Sequence, residues 1–406
     1  MPILARPDAD SVLAAGLVGV ALHRAGVAWQ VRCVPRLDEA TLCAAAGVAP
    51  GDPLVLAGWG AVEADAVREA SVEAVVLDAR HPRGPASPSS PDSIPCASAH
   101  AWALARELDA GAPAILALAG SVAAPPGPSL DAWRAELAAR AVAQGGRVLG
   151  LPATHPGPLV VALTEGIEPY FPVLGQHRRL AQEFLGRLGL PDTVPATDLG
   201  DAEARRLATA LTLHLLAQGA PPLAAHYLLL PDVAGAVPGG SARRLARLCE
   251  AACAAGQGGL ALGLALGDAR EEGRVAQLAE AREQRILQAL RKLDAGPEGP
   301  APGGPSLPAG PLDAEPDIAG DLAWAAALSL GGGAAVGVRS AGGLLHVAAP
   351  QVAPEKLGLA ADEVARAVAG DEGSGWALGR RAVVEVPEGH APQAWAKLRR
   401  RLASPR

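Results

Sequence analysis

Through the first half of the chain, short apolar runs alternate with longer stretches patterned for helix. Ile3-Leu4 leads to a helix over residues 12–24, and an apolar run at 29–34 leads to one over 38–46. Residues 54–56 lead to 63–70, and 75–77 lead, after a loop, to 96–108. Strands separated by about 10–15 helical residues imply right-handed βαβ crossovers and a parallel sheet. Residues 114–118 and 147–151 predict further strands, with 130–143 as the helix between them. In sheets of this kind, chemistry gathers at the carboxyl ends of the strands. Asp8, Asp10 and Asp78 all fall at such ends in this reading.

The pattern changes near Gly166. Helical periodicity then dominates at 176–188, 201–218, 241–255 and 268–293, and Asp198-Leu199-Gly200-Asp201 offers N-cap carboxylates to the second of these. Gly296-Pro297-Glu298-Gly299-Pro300-Ala301-Pro302-Gly303-Gly304-Pro305 cannot continue a helix and reads as an exposed linker. Alternation returns afterwards, as in a small α/β domain. The expected organisation is a parallel-sheet α/β domain over 1–165 and a mainly helical connector over 166–294. A Pro/Gly-rich linker over 295–316 and a smaller C-terminal α/β domain over 317–406 follow. No internal repeat is visible.

The length of 406 residues suffices for such multi-domain cores. Half of the residues are hydrophobic, yet aromatics make up only 3%, so the cores must close-pack many small side chains. The net charge of −7 argues against a uniformly basic DNA-coating surface. The C-terminal stretch is a local exception: from Trp376 onward, seven Lys/Arg face two Glu, ending in Arg399-Arg400-Arg401. Either a solvated helix face or a contact to phosphate or an acidic partner accounts for that run. Five cysteines without a Cys-x-x-Cys pair argue against a disulfide framework or a structural zinc site and fit a reducing cytoplasm. No signal peptide or run of about 20 apolar residues is present, so a soluble protein without membrane partners is expected.

Several motifs are excluded. No Gly-x-x-x-x-Gly-Lys-Ser/Thr or Gly-x-Ser-x-Gly occurs. Gly256-x-Gly258-x-x-Ala261 follows a helix instead of opening one after a strand, which is wrong for a dinucleotide site.

Arg6-Pro7-Asp8-Ala9-Asp10-Ser11 and Asp78-Ala79-Arg80-His81 together resemble the DHH phosphoesterase superfamily, whose first motif reads roughly His-x-Asp-x-Asp-Gly and whose third reads Asp-His-His. The collinear elements 164–172, Glu183-Phe184-Leu185-Gly186-Arg187-Leu188-Gly189 and Asp198 to Glu203 are similar to the archaeal RecJ-like members. So are 248–256 with 260–268, and Gly373-Ser374-Gly375-Trp376-Ala377-Leu378-Gly379 in the DHH-associated C-terminal domain. Active members, by this resemblance, hold two Mn²⁺ or similar ions through His and Asp side chains. Here Arg6 stands for the first histidine, and the strand end Ala57-Gly58-Trp59-Gly60 has no carboxylate. Ala79 and Arg80 stand for the paired histidines, no Asp occurs near His155, and Trp376 stands for the C-terminal histidine.

The candidate metal ligands that survive are Asp8, Asp10 and Asp78, with His81 and His155 as substitutes. Arg6 and Arg80 are placed to neutralise the aspartates instead. The resemblance therefore implies a catalytically degenerate scaffold of the DNA replication machinery, without a metal cofactor. Its implied partners are the GINS complex, the MCM helicase through GINS, and single-stranded DNA tracked by Arg339, Ser340, Arg380, Arg381, Arg399, Arg400 and Arg401. Two alternatives stay open. One is a single-strand-specific exonuclease or oligonucleotide phosphoesterase using Mn²⁺ or Mg²⁺. The other is a protein-binding subunit without nucleic-acid contact, which the scarcity of aromatic stacking residues favours.

Overall fold

The computed structural model describes residues 1–34, 37, 39–46, 53–59, 73–77, 96–108, 111–124, 128–149, 157–228, 230–295, 307, 310–378 and 380–403. The chain divides into two compact units, 1–149 with 231–280, and 150–230 with 281–406.

In the first unit, β1 (Pro2–Ala5) leads through Arg6 and Pro7 to α1 (Ala9–Arg24). With β2 (Gln30–Cys33), α2 (Glu39–Ala46), β3 (Leu54–Ala57) and β4 (Ala74–Leu77) it makes a parallel sheet of order β2-β1-β3-β4. Leu4 lies beside Leu56, and Leu56 beside Val76. Both inner strands, β1 and β3, are buried along their whole length. Strands covered on both faces need apolar residues at every position, which is why these two read as unbroken hydrophobic runs. Because the strands are parallel, the ends of β1 and β3 bring Arg6, Asp8 and Gly58 to the same end of the sheet.

Helices α3 (Ala97–Glu107) and α4 (Ala114–Ala123) pack around α1, and α5 (Pro128–Ala143) packs on α4. Residues 114–118, expected as a strand, are therefore the first half of a helix. Its ten residues are apolar or small throughout and buried on all sides, so no 3.6-residue period is visible. Ala and Leu, both strong helix formers, decide the conformation. A strand does follow, β5 (Arg147–Leu149), but it pairs antiparallel in a sheet of its own. Residues 63–70, expected as helix, lie outside the described residues.

The second unit begins with α6 (Leu159–Glu165), α7 (Arg178–Arg187), α8 (Asp201–Ala217) and α9 (Pro222–Leu228). The chain then returns to the first unit as β6 (Asp232–Ala234), the partner of β5, followed by α10 (Ala242–Ala254) and α11 (Gly258–Ala265). Helix α12 (Glu272–Ala295) belongs to the first unit up to Glu280 and to the second from Ala281. The stretch 166–294 thus holds helices of both units.

Next come β7 (Leu312–Asp313), α13 (Pro316–Ser329), β8 (Val336–Arg339), β9 (Leu344–Ala348), α14 (Pro354–Ala369), β10 (Ser374–Leu378), β11 (Arg381–Glu385) and α15 (Ala391–Ala403). Their sheet has the order β10-β11-β9-β8-β7 and is antiparallel except for β7 beside β8. One core of this unit gathers Tyr170, Phe171, Leu207, Leu211 and Trp324; another gathers Leu345, Val347, Val384 and Trp395. Among the described residues no helix is long and apolar enough to cross a membrane.

Candidate functional site

Backbone hydrogen bonds fix the turn after β1 before any side chain is considered. Arg6 N–H donates to Ala57 O at 3.1 Å, and Asp8 N–H donates to Arg6 O at 2.9 Å. Asp8 is the N-cap of α1, with Oδ1 accepting from Ser11 N–H at 2.9 Å. Its other oxygen, Oδ2, lies 3.6 Å from Arg6 Nε, and the two side chains are 25% and 24% exposed. Gly58, at φ +78°, ends β3 beside this turn; a Cβ there would overlap Ser11 Oγ. Only glycine lets the strand end pass so close to the first turn of α1.

Asp10 is engaged differently. Its Oδ2 accepts from Ala97 N–H at 2.9 Å and its Oδ1 from Ser98 N–H at 3.0 Å. Those are the first N–H groups of α3, whose own N-cap residue, Cys96, makes no side-chain cap. A carboxylate from α1 thus caps a helix nearly ninety positions later in the chain, at the end where the helix dipole favours negative charge. Burial pushes the Asp10 carboxyl up to about 6, and the charge of Asp8 adds to the rise, while the hydrogen bonds from Ser98 and Ala97 oppose it. Gly120 makes the close approach possible, because a Cβ there would overlap the Ser98 side chain and lie 2.9 Å from Asp10 Oδ1.

A third carboxylate joins them. Glu250 of α10 accepts from Ala9 N–H at 3.1 Å. Sequence reasoning missed it, although it is the sole acidic residue of an otherwise Ala-, Arg- and Leu-rich helix. The nearby thiols are shifted in the same direction as the Asp10 carboxyl. Burial raises Cys33, Cys249 and Cys253, with Asp8 adding to the rise at Cys33 and Glu250 at the other two. The shift favours the thiol over the reactive thiolate at neutral pH.

Asp78, Arg80, His81 and His155 lie outside the described residues. For Asp8 and Asp10, three of the four oxygens accept backbone N–H bonds and the fourth faces Arg6. Mn²⁺ and Mg²⁺ need oxygen donors with lone pairs open to them. Of the candidate donors, Asp8 and Asp10 are thus already engaged, and a cation drawn to Asp8 would meet the Arg6 guanidinium. Among the described residues no group of three His, Cys, Asp or Glu side chains comes together that would hold a metal.

The residues expected to track phosphates are in the second unit, each with an intramolecular contact. Arg339 pairs with Asp313 at 2.6 Å, and buried Ser340 is hydrogen-bonded to His346 Nε2 at 3.3 Å. Arg380 donates to Pro350 O. Arg381 binds Asp321 at 2.8 Å, lies 3.7 Å from Glu168 and stacks 5.0 Å from the Trp324 ring. Asp321 also binds Arg282 at 2.5 Å. Burial alone would raise the Asp321 carboxyl, but Arg282 and Arg381 reverse the effect and hold it at about 2.

On α15, Arg399 lies over Trp395 at 5.8 Å, Arg400 donates to Ala396 O at 3.2 Å and Arg401 pairs with Glu363 at 2.5 Å. These last three face solvent. Trp376 belongs to strand β10, opposite Val383. Gly375 beside it is required because a Cβ there would overlap the backbone of α14 at Ala361.

A parallel sheet in one unit and a mixed sheet in the other make up a fold shared with solved structures of CDC45 and RecJ. The chain superposes over 99% of its length on CDC45 from Entamoeba histolytica, with a TM-score of 0.60, 10% identity and 95% of that chain covered. Against RecJ from Thermus thermophilus in complex with Mn²⁺, the TM-score is 0.54 and the identity 17%, with 99% of this chain and 52% of that chain covered. Against an exonuclease RecJ bound to manganese it is 0.51 at 16% identity, with 100% and 90% covered. The chain therefore spans about half the length of the Thermus RecJ. At such identities the likeness is one of fold. No protein-family model matches the chain, and no curated protein matches it in sequence.

Proposed function

We propose that this chain is a catalytically degenerate RecJ-like scaffold of the DNA replication machinery. It binds the GINS complex and, through it, the MCM helicase, with single-stranded DNA as a further ligand and Arg399, Arg400 and Arg401 as its phosphate contacts. The observation that carries the proposal is the state of the Asp8 and Asp10 oxygens. Arg6 faces one of them, and N–H groups of α1 and α3 satisfy the rest. Hydrolysis by two ions needs carboxylate lone pairs for metal; here each of these oxygens already has a donor or a cation facing it, and three of them hold helix ends in place. The fold likeness to CDC45, over nearly the whole of both chains, supports the same reading.

One observation favours the second reading, a Mn²⁺-dependent single-strand exonuclease: Asp8 and Asp10 still stand at the carboxyl end of a parallel strand, where such chemistry would occur. The two are separated by an assay with Mn²⁺ on 5′-labelled single-stranded DNA and RNA, run beside Asp10→Ala. The scaffold reading predicts no cleavage above that of the variant, together with recovery of GINS subunits in a pull-down. Metal-dependent cleavage abolished by Asp10→Ala would overturn it.

A further inference from the structure

Helix α8 buries one face and leaves the opposite face uncovered. Ala204, Leu207, Ala208, Leu211 and Leu215 are buried, and at about 100° per residue they fall on one side of the helix. The other side carries Ala202, Arg205, Arg206, Thr209, Leu213, Leu216 and Ala217, all exposed. These seven form a stripe about 120° wide. Leu213 is 61% exposed and Leu216 44%, and they stand three positions apart, where helical side chains are neighbours. Thr209 donates its hydroxyl to Arg205 O within the helix, which leaves its methyl on the stripe.

Two turns toward the N-terminus, about 10 Å away, the same stripe carries Arg205 and Arg206. Among the described residues neither guanidinium has an ion-pair or hydrogen-bond partner.

We infer that the outward face of α8 is a docking surface for an acidic amphipathic helix of a protein partner. The partner's apolar residues would cover Leu213, Leu216 and Ala217, and its carboxylates would meet Arg205 and Arg206. A helix has the matching shape, because small residues at 202 and 217 leave room for a second helix to lie close. Charge complementarity selects an acidic partner, since Arg205 and Arg206 lie on the stripe, whereas Glu203 accepts from Gly200 N–H and Asp201 falls about 40° outside it. Nucleic acid fits less well: aliphatic leucines offer neither a stacking plane nor a donor to phosphate, and the stripe has no aromatic residue. This inference does not depend on the state of Asp8 and Asp10, so a chain that proved to be a nuclease would still present the surface.

The test measures binding of full-length protein to two labelled synthetic helices by fluorescence anisotropy. Both carry leucines three positions apart. One has glutamates two turns away and the other lysines at the same places. Wild type binds the glutamate helix at least tenfold more tightly than the lysine helix. Leu213→Ser/Leu216→Ser weakens that binding at least tenfold, and Arg205→Glu/Arg206→Glu transfers the preference to the lysine helix. All four positions are exposed, and an unchanged circular dichroism melt establishes that the variants fold. Binding to neither helix, equal binding to both, or affinities unmoved by the substitutions would overturn the inference. So would a wild-type dimer in light scattering that Leu213→Ser/Leu216→Ser converts to monomer, because the occupant would then be a second copy of this chain.

Discussion

Asp10 shows most clearly what the carboxylates of the first unit do. An acid accepting two helix N–H bonds among buried atoms trades solvation for a capping role, and burial dominates, leaving its carboxyl at about 6 against an ordinary 3.8. Between those values the folded chain holds a proton that the unfolded chain has lost. Stability therefore falls as pH rises from about 4 to about 7, by about 3 kcal/mol at 1.36 kcal/mol per unit. Burial also lowers His100, His214 and His346, which favours the folded state as pH rises and partly offsets this slope. The difference between wild type and Asp10→Asn isolates the acid. In urea unfolding at a series of pH values, the wild type should lose stability relative to Asp10→Asn across that window, and a constant difference would contradict the assignment.

At the scale of elements, neighbouring helices supply the caps that a helix lacks. Asp10 of α1 closes the N-terminus of α3, and Arg134 of α5 closes the C-terminus of α4. Arg134 is fully buried, with Nε donating to Ser121 O at 3.0 Å and Nη2 to Ala124 O at 3.0 Å, while Nη1 pairs with Asp131 at 3.2 Å. Arg134→Met keeps most of the side-chain volume but leaves those carbonyls without donors. We predict a loss of about 3 kcal/mol in chemical denaturation, the cost of orphaned buried acceptors; a change below about 1 kcal/mol would refute the cap.

The sequence shows some elements and hides others for physical reasons. The helices over 178–187 and 201–217 alternate buried and exposed positions, and that over 242–254 alternates buried and half-buried ones, so all three are legible from periodicity. The first half of helix α4 reads as a strand because complete burial erases the period. Short helices α6, α9 and α11 and strand β6 are not anticipated, since a turn or two of helix or a three-residue strand owes its form to tertiary packing more than to its own pattern.

Across the whole molecule, the parallel sheet and the Asp8-to-α1 junction can be read directly, because both are local in sequence. The partners that define the site cannot. Ala97 and Ser98 with Asp10, Ala9 with Glu250, and Arg381 with Asp321 are joined only by the fold. The last of these links α12, α13 and β11 within the second unit through Arg282, Asp321 and Arg381. Asp321→Ala would leave two guanidinium groups without their shared carboxylate, and a loss of about 3–5 kcal/mol is expected in denaturant titrations at pH 7. The Asp321 carboxyl is held at about 2 against an ordinary 3.8, so its contribution is complete above about pH 4 and disappears as pH falls toward 2. The gap between wild type and Asp321→Ala should therefore narrow by about 2 kcal/mol in acid; a gap unchanged between pH 5 and pH 2 would refute the pairing.

In the scaffold role we propose, the Arg6 guanidinium and backbone N–H groups stand where divalent cations would otherwise meet Asp8 and Asp10. Crystals soaked in Mn²⁺ and measured at the manganese absorption edge test it most directly. No anomalous peak is predicted at either carboxylate. Two peaks about 3.5–4 Å apart, bridged by Asp8 or Asp10, would contradict the claim.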